Sequence, residues 1–356
     1  MIARNIGLDL LRAIAIFLVM WGHSLDFLPV NEISELLHYK PFDGVDLFFV
    51  LSGFLIGGLL LRDLQNHPNG GIKPWVRFVA RRWLRTIPAY WTILLVLWIA
   101  LFFKPHWAEG EVDLWSYLFF YQNLLQPLIG FFWESWSLSV EEWFYLCSPL
   151  AVFLAAMLIP ARRAYLAIAA GMIGLSLVHR HMLYNPGLDD FWFDVQLRKM
   201  VFTRFDGLGC GMLLAACIQH QWIGRSKLLL FFLGLSVLLA LSAVDIDNTL
   251  YFKQVFYFFV VALALACLIP WVKDRPWKES IFTRVVRSVA IHSYGLYLVN
   301  LSLVSSILHD AEKNHANAPK WLWFALFWVL SWALAILLHR CVERPVMRWR
   351  DKHLNS

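Results

Sequence analysis

Charge is the scarcest commodity in this sequence. Only 16% of its 356 residues are Asp, Glu, Lys or Arg, against about 25% in a typical soluble domain. That deficit excludes an ordinary soluble enzyme. Together with a 60% apolar content, it also excludes a disordered chain, which needs low hydrophobicity and high net charge. Cysteine is sparse as well. Cys147, Cys210, Cys217, Cys267 and Cys341 form no C-x-x-C pair and have no histidine at metal-ligand spacing. A disulfide scaffold and a zinc module are therefore excluded, and the five read as small apolar residues. No internal repeat, low-complexity tail or separate soluble domain is visible. The first apolar run is interrupted at its start by Asp9 and Arg12 and followed by no small-residue cleavage site, so it reads as a span and not as a secretory signal.

What the sequence has in excess is apolar length. Mean hydropathy is +0.58, with 19 Trp and 28 Phe, and aromatic residues anchor at both bilayer interfaces. Runs of about 17–25 residues suffice to cross the hydrocarbon. Ten such runs centre near residues 6–24, 45–62, 86–103, 138–159, 164–180, 200–218, 228–243, 251–270, 288–308 and 321–339. The stretch 114–133 is also aromatic, but Gln122, Asn123, Gln126 and Pro127 make it a re-entrant or interfacial segment. Between the runs, positive charge alternates: 21 Lys and Arg fall on one side and 8 on the other. By the positive-inside rule this predicts ten helices with both termini in the cytoplasm. The expected fold is thus all-α: one polytopic domain over residues 1–356, set in the inner (cytoplasmic) membrane. The net charge of +6 follows from the same rule and implies no nucleic acid partner.

Ionisable side chains inside the spans carry the functional signal, because each costs at least about 2.5–3.5 kcal/mol at mid-membrane. Arg12 and His23 are separated by ten small or apolar residues, which rise only about 15 Å in a helix. Eleven steps of about 100° return to within about 20° of the start, so both lie on one face, about 16 Å apart. Either alone reads equally as a snorkelling arginine or a satisfied histidine. As a pair on one short face they read as functional: a guanidinium for an anionic donor, and an imidazole for proton transfer near neutral pH.

Other costly groups follow. Asp46 opens the second run, at the depth of His23. Arg82 and Arg85 stand three apart, a spacing that can clamp phosphate. Glu141 and Glu142 open the fourth run, and their helical positions differ by about 100°, so one of the two faces inward. Arg204 and Asp206 interrupt the sixth. Tyr294, Tyr297 and Asn300 sit in the ninth. His179 and His181 are too few to indicate a metal site.

These residues fall within motifs that resemble the acyltransferase-3 family of integral-membrane acyltransferases. The resemblance rests on Gly7–Ala15 with its Arg-x10-His spacing, on Gly44–Phe54, on Arg82-x-x-Arg85 with Pro88-Ala89-Tyr90, and on Trp136–Glu142. It continues through Thr203–Leu208, Ser293–Leu298 and Glu343-Arg344-Pro345. The motifs run in family order from residue 7 to residue 345. One position departs: where the family's ninth helix often has a histidine, this chain has Asn300, and an amide cannot take a proton as imidazole does.

The resemblance implies transfer of an acyl group, expected to be acetyl, from cytoplasmic acyl-CoA. The acceptor is a hydroxyl of a cell-surface glycan or its lipid-linked precursor. No bound cofactor or metal is expected, with acyl-CoA as the donor substrate. His23 is the expected base or transient acyl carrier, and Arg12 holds the donor or stabilises developing negative charge. Glu141 and Asp46 are candidates to orient His23, and Arg82 and Arg85 to hold CoA phosphates. Glu142, Arg204, Asp206, Tyr294, Tyr297 and Asn300 are candidate substrate-binding residues. The competing class is a secondary transporter with an intramembrane charge relay. Against it, no inverted repeat and no matched pair of broken helices is found.

Overall fold

The computed structural model describes residues 5–29, 42–66, 72–243 and 250–354. Among these residues every regular element is helical. Ten apolar helices define the architecture: α1 (Ile6–Ser24), α2 (Gly44–Asn66), α3 (Ile72–Phe103), α4 (Ser135–Ala155), α5 (Ala161–Met182), α6 (Phe205–Gln219), α7 (Lys227–Ala243), α8 (Tyr257–Asp274), α9 (Ile281–Val299) and α10 (Lys320–Leu338). Eight helical segments are long and apolar enough to cross a membrane; α6 and α7 are the two shorter ones. Of the charges that define the loop alternation, Arg4 and Lys40 lie outside the described residues.

Local signals account for the helix starts. Asn5 accepts the Leu8 amide at 3.0 Å, capping α1, and its own side-chain amide donates to the Lys273 carbonyl at 2.9 Å, tying α1 to the end of α8. Ser280 and Thr283 form a reciprocal capping box at the head of α9, satisfying amides that the first turn leaves unpaired. Three helices are prolonged through π turns: Phe252–Phe256 leads into α8, Asn300–Ser305 follows α9, and His339–Glu343 follows α10. Such wide turns recur at functional sites.

The segment 114–133 contains one short helix, Leu114–Leu118, followed by turns. Asn123 is fully buried and donates to the carbonyls of Trp136 and Lys199, at 3.0 and 2.6 Å. The amides that argue against a plain span thus stitch this irregular segment to the head of α4.

Helices α2 and α6 form the tightest pair. A methyl added at Gly53 would collide with the Leu208 carbonyl oxygen, and one at Gly211 with that of Val50. Small residues let backbones approach where lipid offers no hydrophobic drive to associate. Helix α1 packs against both α2 and α9 beside the polar interior, with α4 and α3 closing its other side.

Candidate functional site

Along α1, Arg12 and His23 open into different cavities. Arg12 and Arg85 border a space of about 280 Å³ lined also by Tyr294, His339, Glu343 and Arg350. The same Arg12, Arg85 and Tyr294 border a second, narrower space of about 100 Å³, to which Arg82, Glu141 and Tyr297 contribute. His23 lines a third, of about 270 Å³, with Trp133, Glu134, Trp136, Arg198 and Lys199. Tyr297 and Val45 border both the second and the third. A row of cavities therefore lies beside α1 from Arg12 to His23, with Tyr297 at the waist between the second and the third.

The narrow cavity is cationic on one wall. Arg82 lies over the Tyr145 ring, 5.0 Å from its centroid, and its buried Nε has no hydrogen-bond partner. Arg12 reaches Asp9 at 3.4 Å. Glu141 sits opposite, accepting from Ser52 at 2.5 Å and from Tyr145 at 2.8 Å. An unsatisfied guanidinium nitrogen in a buried cavity is unfavourable unless a ligand or water completes it. Three arginines around one space suit an anionic, phosphate-bearing ligand.

At the waist, the Tyr297 hydroxyl donates to the Glu134 carbonyl at 3.1 Å and lies 2.5 Å from Ser137 Oγ. The Glu134 carboxylate accepts the Ser302 amide, at 3.1 and 3.2 Å, and the Ser302 hydroxyl. It thereby holds the wide turn after α9. Burial pushes the Glu134 carboxyl up to about 7, against the lowering pull of Ser302.

His23 is half-buried, and its Nδ1 stands 2.6 Å from Asn300 Oδ1. Phe27, one turn on, stacks on His309 with centroids 4.7 Å apart, fixing the end of α1 against the continuation of α9.

The remaining expected residues are engaged in contacts between helices. Asp46 is buried and paired with Arg204, whose guanidinium lies 4.1 Å from the Phe258 centroid and 5.3 Å from that of Phe49. Asp206 pairs at 2.6 Å with Arg180, which is fully buried and also donates to the carbonyls of Val255 and Thr203. Both pairs brace α6 against its neighbours. Glu142 accepts from Thr86 at 2.8 Å, and Tyr294 donates to the Thr86 carbonyl at 2.8 Å, linking α4, α3 and α9.

Asp46 and Glu141 were expected to orient His23, and the structure places both in other contacts. Asp46 is committed to Arg204. Glu141 lies six residues into α4, about 9 Å along its axis, and lines the Arg12 cavity. The side chain that meets His23 Nδ1 is that of Asn300. Sequence reasoning passed over Glu134, Ser302 and Tyr145. The one available signal was an acidic residue, Glu134, enclosed by Phe131, Phe132, Trp133 and Trp136.

Comparison with known proteins places these residues in context. A family model described as an acyltransferase domain matches residues 5–340. The peptidoglycan O-acetyltransferase OatA of Listeria monocytogenes is 25% identical over 96% of this chain and 56% of its own length. A Bacillus subtilis protein, YrhL, provisionally named a peptidoglycan O-acetyltransferase, is 26% identical over 96% of this chain and 54% of its own. The chain thus spans little more than half the length of the curated relatives it matches. No solved structure matches it significantly.

Proposed function

Because the chain belongs to the acyltransferase-3 family, with a match from residue 5 to residue 340, we propose that this multi-pass membrane protein is an O-acetyltransferase. In this reading it moves an acetyl group from cytoplasmic acetyl-CoA to a hydroxyl of a cell-wall glycan such as peptidoglycan. It does so in the cytoplasmic membrane, with ten spans and both termini inside. The observation that carries the reading is the row of cavities beside α1, with arginines at one end and a histidine at the other.

The separation assigns roles. Arg12 and His23 are about 16 Å apart along the helix, too far for one group to touch both. Arg12, Arg82 and Arg85 therefore hold the donor's phosphates, and the extended pantetheine arm carries the thioester past Tyr297 toward His23. The acceptor approaches from the His23 cavity, where Trp133 and Trp136 offer faces to a sugar ring and Glu134, Arg198 and Lys199 offer polar edges.

In the transfer, the acceptor hydroxyl gives its proton to His23 while its oxygen attacks the thioester carbonyl. Collapse of the tetrahedral intermediate breaks the carbon–sulfur bond, and the leaving thiolate takes the proton back from the imidazolium. The route through a transient acyl-imidazole uses the same ring nitrogen as nucleophile. Either way a positioned base contributes about 10²–10⁴-fold.

His23→Gln keeps size and hydrogen bonding but removes basicity. Purified protein in nanodiscs, supplied with labelled acetyl-CoA and glycan acceptor, is expected to lose transfer while retaining acetyl-CoA binding. Transfer within about threefold of wild type is far less than the loss expected for a base, and it would overturn the role of His23.

A further inference from the structure

We infer that Asn300 is the positioning residue that fixes the tautomer of His23, leaving the lone pair of the neutral ring at Nε2. The inference rests on the reading of His23 as the base or nucleophile and adds how its nitrogen is prepared.

The amide orientation of Asn300 is forced by its surroundings. Its Nδ2 lies 2.8 Å from the Leu296 carbonyl oxygen and 2.8 Å from that of Tyr297. Turning the amide over would set Oδ1 against two acceptors that cannot donate. Oδ1 therefore points at His23, and it is an acceptor only. The 2.6 Å contact with His23 Nδ1 then requires a proton on Nδ1, so in the neutral ring Nε2 is bare.

Position reinforces the lock. Asn300 is fully buried and begins the wide turn Asn300–Ser305. Its backbone amide donates to the Leu296 carbonyl, and its own carbonyl accepts from Ser305 at 3.2 Å. Glu134 grips the same turn through Ser302. The amide is held from both sides, so its oxygen has little freedom to leave His23.

The chemistry is also specific to an amide. A carboxamide neither gains nor loses a proton near neutral pH, so Asn300 orients the ring without relaying a proton. The groups that face His23 across its cavity are Asp26, Asp43, Glu134, Arg198, Lys199 and Tyr297. Their charges bear on the affinity of the ring for a second proton. They do not alter which nitrogen the amide oxygen claims.

The test is spectroscopic and kinetic. In ¹⁵N-histidine protein, the His23 signals are assigned by difference against His23→Gln and recorded where the ring is neutral. The wild type is expected to show a protonated Nδ1 and a bare Nε2. Free histidine in water favours the opposite tautomer, so Asn300→Leu is expected to shift the ring toward Nε2–H. It is also expected to lower kcat about 10- to 100-fold, the loss seen when the outer partner of a metal-ligating histidine is removed, with KM for acetyl-CoA unchanged. A wild-type ring protonated at Nε2, or wild-type kcat in Asn300→Leu, overturns the inference. Should Asn300→Leu fail to fold, the wild-type tautomer still decides. If His23→Gln is active, the base reading fails instead; if His23→Gln is inert while Asn300→Leu is unimpaired, only this inference fails.

Discussion

Replacing Arg204 with Met tests whether Asp46 serves chemistry or architecture. The wild-type pair is almost fully enclosed: Arg204 is 3% exposed and Asp46 5%. Arg204 also donates to the Arg198 carbonyl at 3.3 Å and packs against the faces of Phe258, Phe49 and Trp136. Met fills much of the same space but leaves the Asp46 charge buried without its partner. Removing one member of a buried ion pair costs about 3–5 kcal/mol, more than a hundredfold in the folding equilibrium at about 1.4 kcal/mol per decade. Lys keeps the charge but loses the planar stacking, and is expected to restore only part. The double replacement Arg204→Met with Asp46→Leu removes the orphan charge and is expected to recover most of the loss, because apolar substitutes for a buried pair are often neutral or better. Unfolding in mixed SDS–detergent micelles gives the free energies, and transfer per folded molecule gives the activity. The reasoning is refuted if Arg204→Met unfolds like wild type. It is refuted equally if the double variant is less stable than Arg204→Met alone. If the folded double variant has lost transfer altogether, Asp46 has a chemical role beyond the pair.

Two further outcomes are expected. Arg82→Ala with Arg85→Ala should weaken acetyl-CoA binding at least tenfold without loss of protein, and the double Lys variant should recover only part, since Lys lacks the planar fork. Unchanged binding in a direct titration would leave both arginines a topological role only. Reporter fusions at Ala108 and Asn317 should read outside and one at Asp274 inside; reversed signals at two of these sites would refute the ten-span topology. The sites expected outside at Lys40 and inside at Asn69 lie outside the described residues, but the same assay reports on them.

Features that depend on local spacing and on the solvent are legible in the residues alone. Apolar length marks the helices, eight of them long enough to cross a membrane among the described residues, because a bilayer offers no water to an unpaired backbone. The Arg12–His23 relation is equally local: eleven residues on one helix fix both face and separation, and both side chains border cavities of the row beside α1. Arg82 and Arg85 share a cavity for the same reason. Partner choice is different, since it joins residues that no periodicity relates. His23 meets Asn300, 277 positions away, and Asp46 meets Arg204, 158 positions away. A buried carboxylate such as Asp46 or Glu142 has to find a donor, and spacing tells only that it must be satisfied. Which donor satisfies it depends on how α2, α4, α6 and α9 are brought together, and on the wide turn that aims Asn300 at α1. That an amide from α9's far end stands against the imidazole is a contact of packing, which no spacing along the chain encodes.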